Sequence, residues 1–277
     1  MLQVHGYIKK KGNKMSYKLV AVDMDGTLLN SKDIITKRTQ DSIKKLVNKG
    51  IVFTICTGRP IQGIEQYNKL LKLDAPFITY NGAMIVKSIS KDVLFKQNLT
   101  INDAKKIYQL GQEFKTTIIV WSNNKLYVNK INDLTQKYKK LSTVEPIIVK
   151  DIETIVSDGI TKILWYDEVE KIKKFESKLF KEISDGVNFC TSKPIFLEFF
   201  DKRVSKGVAL KKIGEFLNIR KEETIAIGDG FNDLPMLEYA GLSVAMKNAP
   251  NEIKEKCNFI TKSNDDEGVA NFIEKHL

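Results

Sequence analysis

The stretch "VDMDGTLL", Val22 to Leu29, follows a short apolar run, Leu19 to Val22, and sets two aspartates one residue apart. A continuous apolar run of this length reads as a parallel strand buried on both faces. The polar residues then begin where the strand ends. In an open parallel sheet, ligands gather where loops leave the carboxyl ends of the strands, so the position of the pair is itself informative. Gly26 permits the sharp turn and close backbone approach that come next.

The rest of the chain repeats this grammar. A helical pattern from Thr36 to Asn48 ends before Gly50, "IVFTIC" (Ile51 to Cys56) is a second strand, a helix follows around Ile61 to Lys72, and "PFITYNGA" (Pro76 to Ala83) is a third strand closing in a turn. Late in the chain the alternation returns with a helix over Val208 to Leu217, the strand "TIAIGDG", the helix "NDLPMLEYA", the strands "LSVAM" and "NFIT", and a closing helix from Gly268. Alternating strands and helices indicate a doubly wound, Rossmann-like α/β sheet. The middle differs. A hairpin centred on Asn123 and Asn124, the strands "KILWYD", "VNFCTS" and "IFLEFF", and a helix from about Glu168 to Lys181 describe an α+β module. The expected organisation is therefore a core of residues 17–85 and 201–277 with a domain of residues 86–200 inserted, and residues 1–16 as a disordered extension.

Composition narrows the chemistry. The chain has 277 residues, 42% hydrophobic and 29% charged, which suits one or two ordinary globular domains. No run approaches the ~18 apolar residues of a membrane span, and the first residues lack the pattern of a secretory signal, so a cytoplasmic protein is expected. Cys56, Cys190 and Cys257 stand far apart without a CxxC pair, and read as core or incidental thiols. The two histidines, His5 and His276, lie near the chain ends, which removes Ser-His-Asp hydrolases, phosphohistidine enzymes and histidine-based zinc sites. Catalysis must run on carboxylates. The net charge of +11 raises nucleic acid as a partner, but the lysines are scattered at helix-surface spacing without interleaved aromatics, so none is expected.

Four strand ends carry polar groups suited to phosphate and a hard cation: "DMDGT", "TGR" (Thr57 to Arg59), "YNG" (Tyr80 to Gly82) and "GDGFND" (Gly228 to Asp233). Each alone is a commonplace turn. Together, in order, they form a constellation. Asp23 and Asp25 joined by Asp229 and Asp233 would repel unless a divalent cation neutralised them, and oxygen-only ligands favour Mg²⁺. A cation beside a free carboxylate suits phosphoryl transfer, with one aspartate attacking phosphorus and the other moving the proton. Lys206 and Arg59 are the available cations and Thr57 the hydroxyl. Trp121 and Trp165 are read as packing residues of the insert.

With "DMDGTLL", "TGR", "YNGA", "SKG" (Ser205 to Gly207), "GDGFNDLPMLEYAG" and the closing "SNDDEGVA", residues 17–277 resemble the haloacid dehalogenase-like hydrolases, specifically the Cof-type sugar-phosphatase branch with a type IIB α/β cap. The resemblance implies Asp23 as the nucleophile that forms an aspartyl-phosphate and Asp25 as the general acid/base. It implies Mg²⁺ held by the Asp23 carboxylate, the Asp25 main-chain carbonyl and the Asp229 carboxylate, with Asp233 in support. The amide of Met24, Thr57 with Gly58, Lys206 and Asn232 would bind the phosphate, and Arg59 and Asn81 would lie at the pocket edge. The insert between "TGR" and "SKG" takes the position of the cap. The reading is a phosphomonoesterase for small phosphorylated metabolites, sugar phosphates or phosphorylated cofactors, working as a monomer or homodimer. A phosphomutase, a receiver-like signalling domain and a basic nucleic-acid binder are the alternatives.

Overall fold

A computed structural model describes residues 17–179 and 182–277; the expectation for residues 1–16 lies outside them. In chain order the strands are β1 (Leu19–Asp23), β2 (Val52–Cys56), β3 (Pro76–Thr79), β4 (Met84–Lys87), β5 (Val93–Lys96), β6 (Thr117–Ser122), β7 (Lys125–Val128), β8 (Pro146–Ile148), β9 (Ile160–Tyr166), β10 (Val187–Lys193), β11 (Phe196–Asp201), β12 (Thr224–Gly228), β13 (Leu242–Ala245) and β14 (Phe259–Ile260). The chain divides into two compact units. One holds the described residues up to Cys56, with Leu73–Phe77 and Lys206–Leu277; the other holds Thr57–Lys72 and Ile78–Ser205.

In the first unit parallel strands stand in the order β14-β13-β12-β1-β2-β3, with β3 entering through Pro76 and Phe77. Val22 is level with Ile227 on one side and Ile55 on the other. Leu19 to Val22 and Ile225 to Ile227 are all fully buried, the double-sided burial their apolar runs require. From β1 the chain moves outward through β2 and β3; from β12 it moves the opposite way through β13 and β14. The switch point therefore lies between β1 and β12, and a ligand crevice is expected there. The helix Lys37–Asn48 begins where the Thr36 side chain accepts a hydrogen bond from the Thr39 amide, and Gly50 follows it at φ +81°. The helix Gly268–His276 is tied to it by Arg38, which donates to Glu274 at 2.6 Å and to Glu267 at 3.0 Å.

The second unit is the α+β module. Its six-stranded sheet runs β10-β11-β9-β6-β7-β8, antiparallel throughout except for the β7–β8 pair. Asn123 and Asn124 turn the β6–β7 hairpin at φ +49° and +60°, left-handed backbone that asparagine tolerates better than most residues. The helices Ile101–Glu113 and Val169–Leu179 cover the sheet with Ile107, Tyr108, Ile172 and Phe175. Trp121 and Trp165 are packing residues, 1% and 0% exposed. The antiparallel β4–β5 hairpin, which no alternation in "MIVKSISKDVLFK" announced, follows β3 in the sheet order and is not part of the six-stranded sheet, but its residues group with this unit. Among the described residues no helix is long and apolar enough to cross a membrane.

Candidate active site

The loop after β1 doubles back at once. The amides of Leu28 and Leu29 donate to the carbonyls of Asp23 and Met24 at 3.2 and 2.9 Å, and Asp25 bridges to Leu29. Gly26 makes the reversal at φ +83°. A Cβ added there would overlap Oδ2 of Asp229 and lie 2.9 Å from its Cγ, so only glycine lets the two loops approach this closely. The second loop, after β12, carries Asp229. Thr27 Oγ1 donates to Asp229 Oδ1 at 2.7 Å, and Asn248 Nδ2 donates to the Gly26 carbonyl at 2.8 Å and to Asp229 Oδ2 at 3.4 Å. Asp233 closes the short turn Phe231–Asp233, where its Oδ2 accepts from the amides of Asp229 and Gly230 at 3.0 and 2.9 Å.

These loops bring ligand oxygens of Asp23, Asp229 and Asp233 within 4.8 Å of one another. Lys206, at the start of the helix Lys206–Leu217, reaches the same point: its Nζ donates to Asp23 Oδ1 and to Asp233 Oδ1, each at 2.5 Å. The helix comes this close because Gly207 lies against the carbonyl of Pro235, where a Cβ would clash. Asp23, Asp233 and Lys206 are 5%, 0% and 1% exposed, so two buried carboxylates share one ammonium, with the half-buried Asp229 beside them. Coulomb repulsion in such a place is strong, and one positive charge does not cancel it.

Protonation follows. Burial first, and Asp233 second, push the Asp23 carboxyl well above the usual range, with Lys206 opposing them. The same causes raise Asp229 to about 6, against the pull of Thr27 and Lys206. Burial alone would lower Lys206, but Asp23 and Asp233 more than reverse that and hold it charged. Burial pushes the neighbouring Cys56 thiol up, which fits a filled core position and no thiolate chemistry. An arrangement in which the carboxyls of Asp23 and Asp229 hold their protons more tightly than usual, because burial and a neighbouring carboxylate outweigh the one ammonium, fits a hard divalent cation on oxygen ligands.

Of the remaining motif residues, all but Asn232 fall in the second unit. Thr57 is 1% exposed and its Oγ1 accepts from the Arg59 amide at 3.0 Å, forming the tight turn of "TGR". The Asn81 amide donates to the Thr57 carbonyl at 3.0 Å and the Tyr80 amide to the Arg59 carbonyl at 3.1 Å, so "TGR" and "YNG" are stitched together. Tyr80 and Asn81 sit consecutively at φ +51° and +56°, a conformation worth about 1–3 kcal/mol of strain for each non-glycine residue. The Arg59 guanidinium lies 5.7 Å from the centre of the Tyr67 ring. Asn232, part-buried in the first unit, tucks its side chain against Gly230.

Asp23, Lys206, Asp229 and Asp233 are thus brought together, and Thr57, Gly58, Arg59 and Asn81 form their own cluster. Sequence reasoning missed four residues that support them. Thr27 and Asn248 orient Asp229, and Lys162 and Glu198 join the second cluster: Lys162 Nζ donates to the Gly58 carbonyl at 3.0 Å and Asn81 Nδ2 to Glu198 Oε2 at 2.8 Å. The last two had a signal, a lone charge inside each of the apolar runs "ITKILWY" and "FLEFF".

The sequence model of the haloacid dehalogenase-like hydrolases matches residues 20–273. The chain belongs to this family. It is 34% identical over 263 residues to the Bacillus subtilis protein YxeH, covering 93% of this chain and 97% of that one. It is 32% identical over 286 residues to a protein of the same organism named 5-amino-6-(5-phospho-D-ribitylamino)uracil phosphatase YwtE, covering 94% and 98%. Among solved structures, a haloacid dehalogenase-like hydrolase from Bacteroides thetaiotaomicron superposes with a TM-score of 0.86 at 30% identity, covering 95% of this chain and all of that one. The resemblance read from the motifs is borne out, and the α/β core with an α+β insertion is that family's fold. The enzyme is a phosphoric monoester hydrolase.

Proposed function

We propose that this haloacid dehalogenase-like hydrolase is a Mg²⁺-dependent phosphatase of small metabolites working through an aspartyl-phosphate on Asp23. The cluster of Asp23, Lys206, Asp229 and Asp233 at the sheet's switch point carries the reading. Asp23 attacks phosphorus, and the ester oxygen leaves as the alcohol after Asp25 gives it a proton. Asp25 then takes a proton from water as the water oxygen attacks the same phosphorus, which returns the Asp23 carboxylate and frees phosphate. Asp23, Asp229 and the Asp25 carbonyl would hold Mg²⁺, which when bound supplies the positive charge that keeps the carboxylates ionised and stabilises the phosphoryl oxygens. Lys206 fixes Asp23 and offsets charge on the transferring group. The amide of Met24, Asn232, Thr57 and Gly58 are assigned to the phosphate, and Arg59 and Asn81 to the pocket edge, on their residue chemistry and the family resemblance.

We assign the capping role to the inserted module, because it falls between "TGR" and "SKG"; a cap excludes bulk water and selects the leaving group. The substrate class is sugar phosphates or phosphorylated cofactors and their precursors, the second supported by the name of the Bacillus subtilis relative YwtE. Scattered surface lysines and ordinary cysteine usage support a cytoplasmic enzyme with no nucleic-acid partner, acting as a monomer or homodimer. The test is hydrolysis of p-nitrophenyl phosphate with Mg²⁺: Asp23→Asn should abolish turnover, and retained turnover would refute the mechanism.

A further inference from the structure

Lys162 and Glu198 carry opposite charges into strands whose neighbouring side chains are apolar. They are 2% and 4% exposed, with Nζ 3.2 Å from Oε1. A buried ion pair rarely stabilises a fold more than an apolar pair of the same volume would, so its presence calls for another reason. The reason lies in what the remaining hydrogen-bonding positions hold. Lys162 Nζ reaches past Glu198 to the Gly58 carbonyl at 3.0 Å, and the other Glu198 oxygen accepts from Asn81 Nδ2 at 2.8 Å. Ser192 Oγ completes the set, donating to Oε1 at 2.9 Å.

The two turns held in this way are themselves one body. The Asn81 side chain lies against Gly58 so closely that a Cβ on Gly58 would come within 2.9 Å of Asn81 Oδ1. The amide of Asn81 is bonded to the Thr57 carbonyl, and Tyr80 and Asn81 keep consecutive left-handed conformations that only a surrounding network can maintain. Anchoring the Asn81 amide group on Glu198 fixes which way Oδ1 faces, and anchoring the Gly58 carbonyl on Lys162 fixes the peptide that follows it.

We infer that Lys162 and Glu198 are positioning residues, an ion pair that holds the "TGR" and "YNG" turns in the one arrangement suited to binding the transferred phosphoryl group. The inference rests on the phosphatase reading for its consequence but not for its geometry. The experiment compares the full-length enzyme with Lys162→Met/Glu198→Leu, which removes both charges together, and with the closer-shaped Lys162→Met/Glu198→Gln, which restores an acceptor for Asn81. Hydrogen–deuterium exchange is read over residues 57–59 and 80–82, alongside KM for p-nitrophenyl phosphate and inhibition by inorganic phosphate.

Expected are melting temperatures close to the parent's, exchange about tenfold faster in those two turns of the Met/Leu variant, and KM and the phosphate inhibition constant each raised about tenfold with kcat changed less. The Met/Gln variant should recover part of the loss, and Asn81→Ala, costly in the parent, should cost little more in the Met/Leu background. Unchanged exchange in the two turns, or a full additive penalty from Asn81→Ala, overturns the inference. Should Met/Leu fail to fold, Met/Gln decides on the same readouts, with parent-like exchange at residues 57–59 as the overturning result. An inactive parent would sink the phosphatase reading, and exchange alone then decides the positioning role.

Discussion

Gly26→Ala tests whether the approach of the first acidic loop to Asp229 is what builds the site. Alanine at φ +83° carries about 1–2 kcal/mol of backbone strain, which for a chain of this size lowers Tm by roughly 2–8 °C. The Cβ would also stand 2.9 Å from Asp229 Cγ, against the ~3.5 Å at which carbon atoms rest, so the carboxylate must retreat by at least about 0.6 Å. Thr27 and Asn248 hold that carboxylate, and shifting it breaks their alignment. Disturbing the groups that orient a metal ligand costs roughly 10- to 100-fold in metal affinity or activity. Gly50→Ala is the matched control: it has φ +81° and nothing within 4 Å of its Cβ, so it bears the strain without the collision. The assay is Mg²⁺-dependent hydrolysis of p-nitrophenyl phosphate together with thermal melting. Both variants should melt lower by similar amounts, but only Gly26→Ala should need at least tenfold more Mg²⁺ and lose at least tenfold in kcat/KM. Parent-like Mg²⁺ dependence in Gly26→Ala, or an equal activity loss in Gly50→Ala, would refute the reasoning.

Further outcomes are expected. Because Asp229 is raised to about 6 without metal, Mg²⁺ must displace a proton below that pH; the Mg²⁺ concentration giving half the maximal thermal shift should rise several-fold from pH 7.5 to pH 5.5, and a pH-independent midpoint would count against carboxylate ligation. The same sign applies to stability: the folded state binds more protons than the unfolded, so the metal-free protein should lose Asp229's share of stability, up to about 3 kcal/mol, as pH rises from 4 through 6, read by urea denaturation. Lys206→Met leaves the buried Asp23 and Asp233 without their shared cation and should cost about 3–5 kcal/mol at pH 7.5, with Mg²⁺ restoring part of it; full stability without Mg²⁺ would contradict the charge argument. Arg38→Ala removes two half-exposed ion pairs and should cost no more than about 1–2 kcal/mol in a melt, with unchanged kinetics.

How much was readable from the sequence depends on how local each signal was. β1 and β12 announced themselves because strands buried on both faces must be apolar runs, and the acidic residues stood out where those runs stopped. Asp229 and Asp233 were legible as ligands for the same reason. Their supporters were not: Thr27 and Asn248 reach Asp229 only after the chain has folded, across 202 and 19 residues. Lys162 and Glu198 could be noticed as charges in apolar runs, but nothing short of the sheet register, which sets Glu198 level with Leu164 and so diagonal to Lys162, shows that they meet. The β4–β5 hairpin lacked period-two patterning because its strands are four residues each and β5 is half-exposed. That Thr57–Lys72 and Ile78–Lys87 group with the second unit depends on packing, which no spacing in the chain records.

The claim that Asp23 carries the phosphoryl group is tested most directly by trapping it. The enzyme is quenched during turnover of p-nitrophenyl phosphate with Mg²⁺, reduced with borohydride, digested and mapped by mass spectrometry. The account predicts conversion of Asp23 to homoserine, seen only with substrate present and absent from Asp23→Asn. Reduction at another carboxylate, or steady turnover in a variant without the Asp23 carboxylate, would contradict it.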